Sequence, residues 1–350
     1  MADYRFEPVS DSEAEAWDQL IEQCQNSTAF QTWTWRSALA TAFKQLTPHY
    51  FWIKSTNEQT SQSELVGGLP TFIFQPMPTV KMLYSLPWNL FGGFFLLPDT
   101  GVDHSQLYRD LYQHLRHIVT TEKICQITFV PDWTQDLGTD LIRNAYREEA
   151  GHFTHLLNTD ADYNLLWSAY NKRVRGAVRK AEKTGVKVYD TTEQVDLNQF
   201  YQIYLQTQQR LDGTPKPFAL ISQLFESDLA KLAIAKHEGK VIAGLLYLFF
   251  NQTVTLWAGA SDPQFWEFRP NNAIFHHIIR WACTSGYSWV DFGASPPDNI
   301  GLIKHKEEYR AVPYYFNSYT KVEMPLQVAL WEKSEPTLRK VYAFLQHIGN

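Results

Sequence analysis

An acidic side chain interrupts an apolar stretch near the end of the chain. Asp291 lies within the predicted strand Trp289–Gly293 (WVDFG), between two aromatic residues. A carboxylate among apolar side chains is costly unless it is paired. Asp291 is therefore predicted to act as a base or to anchor a substrate amine. The alternative is a structural role, as an acceptor for nearby backbone N–H groups, Arg175 or Arg179.

A predicted helix N-terminus forms a second place for chemistry. The run Arg269-Pro-Asn-Asn272 precedes a helical pattern. Pro270 suits the first turn of a helix, because its missing N–H would have no partner there in any case. The free N–H groups and the dipole at such an end attract anions. Arg269, Asn271 and Asn272 are therefore predicted to contact an anionic ligand.

Several histidines are spaced in ways that resemble catalytic or metal sites. His276 and His277 fall in the first turns of the predicted helix, and either could act as a base because histidine titrates near neutral pH. Simple packing is the alternative for both. The pairs at 114/117 and 152/155 have the spacing of metal ligands but no third ligand nearby, so no metal site is predicted.

A basic segment stands out in an otherwise acidic chain. Residues 171–187 (NKRVRGAVRKAEKTGVK) contain seven lysine and arginine residues and one glutamate, whereas the whole chain has a net charge of −6. The pattern predicts a helix closed by Gly185. A solvated helix face is one interpretation, and a surface for an anionic carrier or phosphate cluster is the other. In the second case Arg175 and Arg179 would contact the carrier.

The elements that must position these residues form an antiparallel meander. Strands are predicted at 231–236, 241–250 and 253–260, with turns at Gly239 and Asn251. The helix that follows ends at Ser285-Gly286, a C-terminal glycine signal. The strand with Asp291 comes next, and a lysine-rich loop completes the stretch.

Length and composition limit the class of protein. A chain of 350 residues with 44% hydrophobic residues is long enough for two folded domains. The longest apolar run, 241–250, is too short to cross a bilayer, and no signal peptide is predicted. Three distant cysteines fit buried thiols in a reducing compartment, and a cytoplasmic location is expected. The negative charge argues against a general nucleic-acid binder.

The first half of the chain repeats the order of elements in the second half. The spacing of about 170 residues is too long for a solenoid repeat and predicts two copies of one domain. We expect domains at 1–160 and 161–325, the second with a basic helix at 172–184, and a C-terminal helical segment at 326–350 packing back across the pair. That segment is predicted as one or two helices broken at Pro336. The aligned features are Trp17 with Phe200, Glu64–Leu69 with Lys240–Leu245, Leu107 with Phe275, and Ile124–Pro131 with Trp289–Pro296.

An ordered set of short motifs runs along most of the chain. They are Thr28–Trp33, Leu86-Pro87, Phe91–Gly93, Lys172–Gly185, Arg210 with Gly213–Pro215, Asp291–Gly293 and Gly301–Lys306. Together they resemble the FemABX group of the GNAT superfamily, and within it the FemAB-like acyltransferase domain. The resemblance implies an α+β fold of two tandem GNAT-like domains, with mostly antiparallel sheets flanked by helices. It also implies transfer of an acyl or aminoacyl group to an amine.

The same resemblance implies roles for individual residues. Lys306 would stabilise charge on the acyl group or a phosphate, and Tyr309 would donate a proton to the leaving group. The loop Arg210–Pro217 would border the acceptor. The substrate contacts would be Arg210, Thr214, Trp257 and Lys304.

The resemblance also implies where a carrier and an oxyanion would bind. The pyrophosphate of coenzyme A would meet the helix N-terminus at Arg269–Asn272, where Asn272 occupies the first glycine position of the GNAT phosphate loop and tolerates unusual backbone angles. Backbone N–H groups would stabilise the oxyanion where strand 253–260 splays from strand 289–293. The small residues Ala258-Gly-Ala260 allow a ligand to approach closely there.

Three functions are consistent with the sequence. The first is an N-acyltransferase that uses acyl-CoA as co-substrate and acts on a small-molecule or cell-envelope amine. The second is an aminoacyl-tRNA-dependent transferase acting on a peptidoglycan precursor, in which residues 172–187 bind the tRNA; tRNA is the less favoured partner. The third is a non-catalytic tandem module that binds an envelope precursor. The second copy is expected to be the active one, because Asp291 and Lys306 have no equivalents in the first.

Overall fold

The computed structural model describes residues 2–24, 27–57, 63–90, 92–131 and 137–348. Part of the predicted hairpin loop, residues 58–62, and Phe91 lie outside this set. The contacts divide the chain into two compact units. Unit 1 comprises Met1–His152 and Phe316–Pro336, and unit 2 comprises Phe153–Tyr315 and Thr337–Asn350.

Unit 1 begins with a strand and two helices that lead into an antiparallel hairpin. Its helices and strands are β1 (Ala2–Pro8), α1 (Ala14–Glu22), α2 (Trp33–Ala42), β2 (Leu46–Asn57), β3 (Ser63–Met77), β4 (Val80–Tyr84), β5 (Phe95–Leu96), α3 (His104–Glu122), β6 (Gln126–Phe129), α4 (Gly138–Arg143) and the first part of β7 (Arg147–Asn158).

Unit 2 contains the remainder of β7 and all of the predicted catalytic, cofactor-binding and substrate-binding residues. Its elements are α5 (Tyr163–Ala169), α6 (Lys172–Lys183), β8 (Lys187–Thr191), α7 (Gln194–Arg210), α8 (Phe218–Phe225), β9 (Ala230–His237), β10 (Lys240–Phe250), β11 (Thr253–Ser261), α9 (Pro270–Thr284), β12 (Trp289–Asp291) and α10 (Ile300–Glu307). The strand β13 (Val312–Val322) and the helix α11 (Pro325–Ile348) each contribute residues to both units.

The two units have the same strand order. In unit 1 the order is β1-β2-β3-β4-β6, and in unit 2 it is β8-β9-β10-β11-β12. In both, the fourth and fifth strands are parallel and are joined through one long helix, α3 or α9. The other strands in both series pair antiparallel. This shared topology confirms the predicted tandem α+β fold.

Each unit has its own apolar core. The helix α3 places Leu107, Leu111 and Leu115 in the core of unit 1, and all three are buried. The helix α9 places Ile274, Ile278 and Ile279 in the core of unit 2. Because these side chains recur at helical spacing, both helices cover the sheet with one apolar stripe. In the described part of the chain, no helix combines the length and apolarity needed to cross a membrane.

Three local predictions were wrong in detail. Lys304 and Lys306 lie on a helix, α10, and not on a loop, because Asn299 caps the helix by accepting a hydrogen bond from the Leu302 N–H at 3.1 Å. Pro336 does not break α11, which continues through it as a single helix. Cys283 is half-buried, with its thiol 3.1 Å from the carbonyl oxygen of Ala161, whereas the other two thiols are buried.

Candidate functional site

The candidate site lies in unit 2, where β11 and β12 stop pairing. The parallel register ends with Thr255 opposite Asp291, although β11 continues to Ser261 along β10. The strand β12 ends two residues earlier than predicted, because Gly293 adopts a φ of +73° in the left-handed region. The two strands therefore part in the segment where the sequence predicts a splay.

A β-bulge lies beside this point. The β10–β11 register shifts between Leu246 and Tyr247, so Trp257 has no residue opposite it on β10. A bulge adds local twist and redirects a side chain, and such features are frequent beside active sites. Trp257 is half-buried, and the next residues on β11 are the small Ala258, Gly259 and Ala260.

Asp291 is buried and bonded to its own unit. Its side chain is 3% exposed. The carboxylate oxygen Oδ1 accepts hydrogen bonds from the Thr154 hydroxyl and, at 2.8 Å, from the Gly293 N–H. Burial raises the pKa of Asp291, although both hydrogen bonds oppose that shift. Its hydrogen bonds within the described residues involve neither Arg175 nor Arg179.

Lys306 is the second buried charged group at this site. Its Nζ donates to the carbonyl oxygens of Gly293 at 2.5 Å and Ala294 at 3.2 Å, and the residue is 4% exposed. Burial lowers the pKa of Lys306 to about 8, while the nearby Asp291 raises it. The helix α10 therefore directs an ammonium group at the turn that follows β12.

Tyr309 connects α10 to the start of α9. Its hydroxyl accepts a hydrogen bond from Asn272 Nδ2 at 2.9 Å, and its ring packs against Phe292 and Phe275 with centroids 5.7 Å apart in each case. Burial raises the pKa of Tyr309, so its hydroxyl stays protonated near neutral pH. The structure thus brings Asn272 and Tyr309 together.

The helix α9 begins where the sequence predicts an anion site. The residue with unusual backbone angles is not the one that the sequence suggested. Pro270 occupies the first turn of α9, as predicted. The residue in the left-handed conformation is the exposed Arg269, with φ 62°, and not Asn272. Asn271 donates from Nδ2 to the Ser261 hydroxyl at 3.1 Å, which ties the helix to the end of β11.

The predicted acceptor loop is flanked by two cation–π contacts. The guanidinium of Arg210 lies 4.9 Å from the ring centroid of Trp266, and Lys216 Nζ lies 4.8 Å from that of Trp257. Thr214, between them, is half-buried. Sequence reasoning named this loop but missed Lys216, whose pKa burial lowers to about 8. The only feature of the sequence that marked Lys216 was its position between two prolines.

The basic helix is confirmed as α6, with Asn171 as its cap. Arg175 uses Nη1 to donate to the carbonyl oxygens of Ser168 and, at 2.9 Å, Tyr170, so it fastens α6 to α5. Arg179 is exposed, with its guanidinium 6.0 Å from the Trp167 ring centroid. The other exposed cations on this helix are Lys172, Arg173, Lys180 and Lys183. Lys304 is likewise exposed, on α10.

The histidines of unit 2 have distinct environments. His276 Nε2 lies 3.0 Å from the Tyr163 hydroxyl, and burial lowers the pKa of His276 to about 4. His277 Nε2 lies 3.2 Å from Asp190 Oδ1. His155, on β7, is buried, and sequence analysis gave it no role beyond excluding it as a metal ligand. No group of three metal-binding side chains was found among the described residues.

Part of the chain matches a known family. Residues 168–308 match the family described as the acetyltransferase (GNAT) domain, and this range contains α6, Asp291 and Lys306 but ends one residue before Tyr309. The UDP-N-acetylmuramoylpentapeptide-lysine N(6)-alanyltransferase of Weissella viridescens is 23% identical over 164 residues. That match covers 45% of this chain and 48% of the relative, so the chain spans about half the length of the curated protein it matches.

Solved structures resemble the chain over almost its full length. FemX superposes with a TM-score of 0.71 at 15% identity and covers 93% of this chain and 99% of its own. L-PGS from Bacillus licheniformis gives 0.59 at 11% identity, covering 97% and 98%. A tandem GNAT protein from the clavulanic acid biosynthesis pathway gives 0.56 at 14% identity, covering 91% and 98%. At these identities the likeness establishes the fold.

The chain therefore has the fold of tandem GNAT proteins, and residues 168–308 match the GNAT domain. Within that class, the alanyltransferase relative and the FemX fold agree with the motifs of the sequence, so the predicted resemblance to the FemABX group is confirmed.

Proposed function

We propose that unit 2 transfers an acyl or aminoacyl group from an activated carrier to a primary amine. The observation that carries the proposal is the buried pair Asp291 and Lys306 at the point where β11 and β12 part. This pair lies within the residues that match the GNAT domain. Amine acylation requires a neutral amine, donors for the developing oxyanion and a group that manages protons.

The residues of the site fit these requirements. An ammonium group has three N–H donors. Two of those on Lys306 reach Gly293 and Ala294, which leaves the third for the oxygen of the reacting carbonyl. Asp291 balances the positive charge of Lys306. Tyr309 has a protonated hydroxyl, which would donate its proton to the leaving group. The acceptor would lie along Trp257 and the loop with Arg210 and Thr214.

The preferred reaction is aminoacyl transfer to the side-chain amine of a lysine in a cell-envelope precursor. The relative from Weissella viridescens is named for alanyl transfer to the lysine of UDP-N-acetylmuramoylpentapeptide. The exposed cations of α6 would suit the phosphates of a tRNA carrier. The sequence by itself favours acyl-CoA as the donor. We prefer an aminoacyl donor because the relative from Weissella viridescens is named as an alanyltransferase.

Transfer from acyl-CoA is the second candidate. The matching family is described as acetyltransferase, and α9 presents its N-terminus with Arg269 and Asn271 beside the end of β11. A helix N-terminus of this kind attracts the pyrophosphate of a coenzyme. Asn272 would act through its contact with Tyr309.

The experiment offers both donors to the purified protein. The acceptor is UDP-N-acetylmuramoylpentapeptide containing lysine, and the donors are alanyl-tRNA or acetyl-CoA. Mass spectrometry of the acceptor reads the product. The matched variants are Lys306→Met, at the site, and Lys333→Met, at an exposed lysine of α11.

Alanylated acceptor from the wild type would support aminoacyl transfer, and acetylated acceptor would support the second candidate. We expect Lys306→Met to lower turnover by about 10²–10³-fold, the usual effect of losing one oxyanion donor, and Lys333→Met to have no effect. If neither donor yields product but the acceptor binds, the non-catalytic function gains support and the proposal fails.

A further inference from the structure

One buried imidazole beside the site has no assigned purpose. His155 is 0% exposed on β7. Within the described ranges, neither Nδ1 nor Nε2 of this side chain has a hydrogen-bond partner. Leaving a polar group buried without a partner costs free energy, so a native protein seldom retains one without a reason.

Backbone pairing places His155 beside the residue that follows Asp291. The carbonyl oxygen of His155 accepts a hydrogen bond from the Phe292 N–H at 2.9 Å, so β7 and the end of β12 run side by side here. Side chains alternate along a strand. Thr154 therefore points to the face where it bonds Asp291, while His155 points to the other face.

The charged groups around His155 come from two elements. Lys306 and Glu307 of α10 both act on it electrostatically, the first lowering and the second raising its pKa. Asp291 of β12 acts on Lys306 in turn. Burial is the largest influence and lowers the pKa of His155, so the ring is neutral near pH 7 and able to accept a proton.

We propose that His155 is a positioning residue for Lys306 and takes up, through Lys306, the proton that the acceptor ammonium loses. The inference rests on the proposed transfer function. Before the reacting carbonyl contacts Lys306, the acceptor enters as an ammonium and gives one proton to Lys306, while the third N–H of Lys306 passes one to the imidazole. The restored ammonium then has that N–H available for the carbonyl oxygen. Such a transfer takes place directly or along one bridging water.

The remaining bonds and charges balance without a further reactant. The free amine forms a C–N bond with the carbonyl carbon, and the bond from that carbon to the carrier oxygen or sulfur breaks. The second amine proton goes to the carrier oxygen or sulfur. The proton on His155 is the one net proton of the reaction, and it leaves to solvent when the products depart.

A titration tests the coupling without relying on activity. The ring signals of His155 are followed by NMR against pH, with His155→Gln to assign them. In Lys306→Met the adjacent cation is gone, so we expect the His155 ring to titrate at higher pH than in the wild type. An identical titration in the two proteins would overturn the coupling, whichever donor the enzyme uses.

The pH–rate profile then tests the role in transfer. We expect the wild-type rate to fall about tenfold per pH unit below the pKa of His155, because the protonated ring accepts no proton. This fall forms the acidic limb of the pH–rate profile. In His155→Gln the acidic limb should disappear, with turnover about 10²-fold lower and KM retained. His117→Gln, at an exposed histidine of α3, is the control.

The outcomes separate the two proposals. An equal loss of rate at every pH in His155→Gln, with the limb preserved, would assign His155 a structural role and overturn the inference. If His155→Gln does not fold, a wild-type profile without an acidic limb would overturn it equally. Coupled titration in a protein that transfers nothing from either donor would instead refute the proposed function.

Discussion

Phe200 packs directly over the backbone of Gly244. A Cβ atom added to this glycine of β10 would lie 2.5 Å from Phe200 Cδ2 on α7. Unit 1 contains the same arrangement, since a Cβ at Gly68 of β3 would lie 2.7 Å from Trp17 Cη2 on α1. The two glycines and the two aromatic residues occupy matching positions in the repeat. Each copy therefore holds the helix that follows its first strand, α1 or α7, against the sheet in the same way.

This packing predicts the effect of adding one methyl group. Gly244→Ala should lower the free energy of unfolding by about 1–3 kcal/mol, because the helix and sheet must move apart. Gly176→Ala is the matched control. It lies in the interior of α6 with no atom within 4 Å of an added Cβ, and should stabilise by about 0.5–1 kcal/mol. Urea denaturation of both variants would reveal the difference, and equal effects would contradict the packing.

The lowered pKa of Lys306 predicts that the free energy of unfolding rises at alkaline pH. Its pKa is about 8 in the folded protein, against an ordinary value of 10.5. Between these values the unfolded chain binds more protons, so the free energy of unfolding increases with pH, by at most about 3 kcal/mol. Lys306→Met should lack that rise. Denaturation of the wild type and the variant at neutral and alkaline pH measures it, and parallel curves would contradict the prediction.

The raised pKa of Asp291 predicts that its contribution to the free energy of unfolding decreases as pH rises in the acidic range. Burial raises its pKa above the ordinary 3.8, so just above that value the folded state binds more protons than the unfolded chain. Stability attributable to this group therefore falls as pH rises through the window. Asp291→Asn keeps an acceptor oxygen for Thr154 and Gly293 but does not titrate. The variant should gain stability relative to the wild type from about pH 4 upward, as denaturation over that range would show.

The basic helix predicts a salt-dependent carrier contact. Under the proposed aminoacyl transfer, the double variant Lys180→Glu/Lys183→Glu should bind tRNA more weakly, with a salt slope that is smaller by about 1–2. Lys333→Glu/Lys340→Glu changes the charge equally on exposed positions of α11 and should leave the slope unchanged. Filter binding at several salt concentrations makes the comparison. Equal salt slopes in the two double variants would show that α6 does not contact the tRNA carrier.

The sequence by itself determined the repeated α+β architecture and the elements of unit 2. The alternation in β9, the apolar run of β10, the helical stripe with Ile274 and Ile278, and the proline and glycine signals around α9 are local properties. They can therefore be read without coordinates. Asp291 could be singled out because a carboxylate in an apolar strand is visible in the sequence.

Only the tertiary structure decided which partners these residues have. Thr154 meets Asp291 across 137 positions of sequence, and Lys306 reaches the Gly293 carbonyl from a helix that the sequence suggested was a loop. The only sequence signal at His155 was its metal-like spacing from His152, which does not reveal that the imidazole is buried without a hydrogen-bond partner among the described residues. Hydrogen bonding and desolvation are set by the packing of distant segments, which no local pattern encodes.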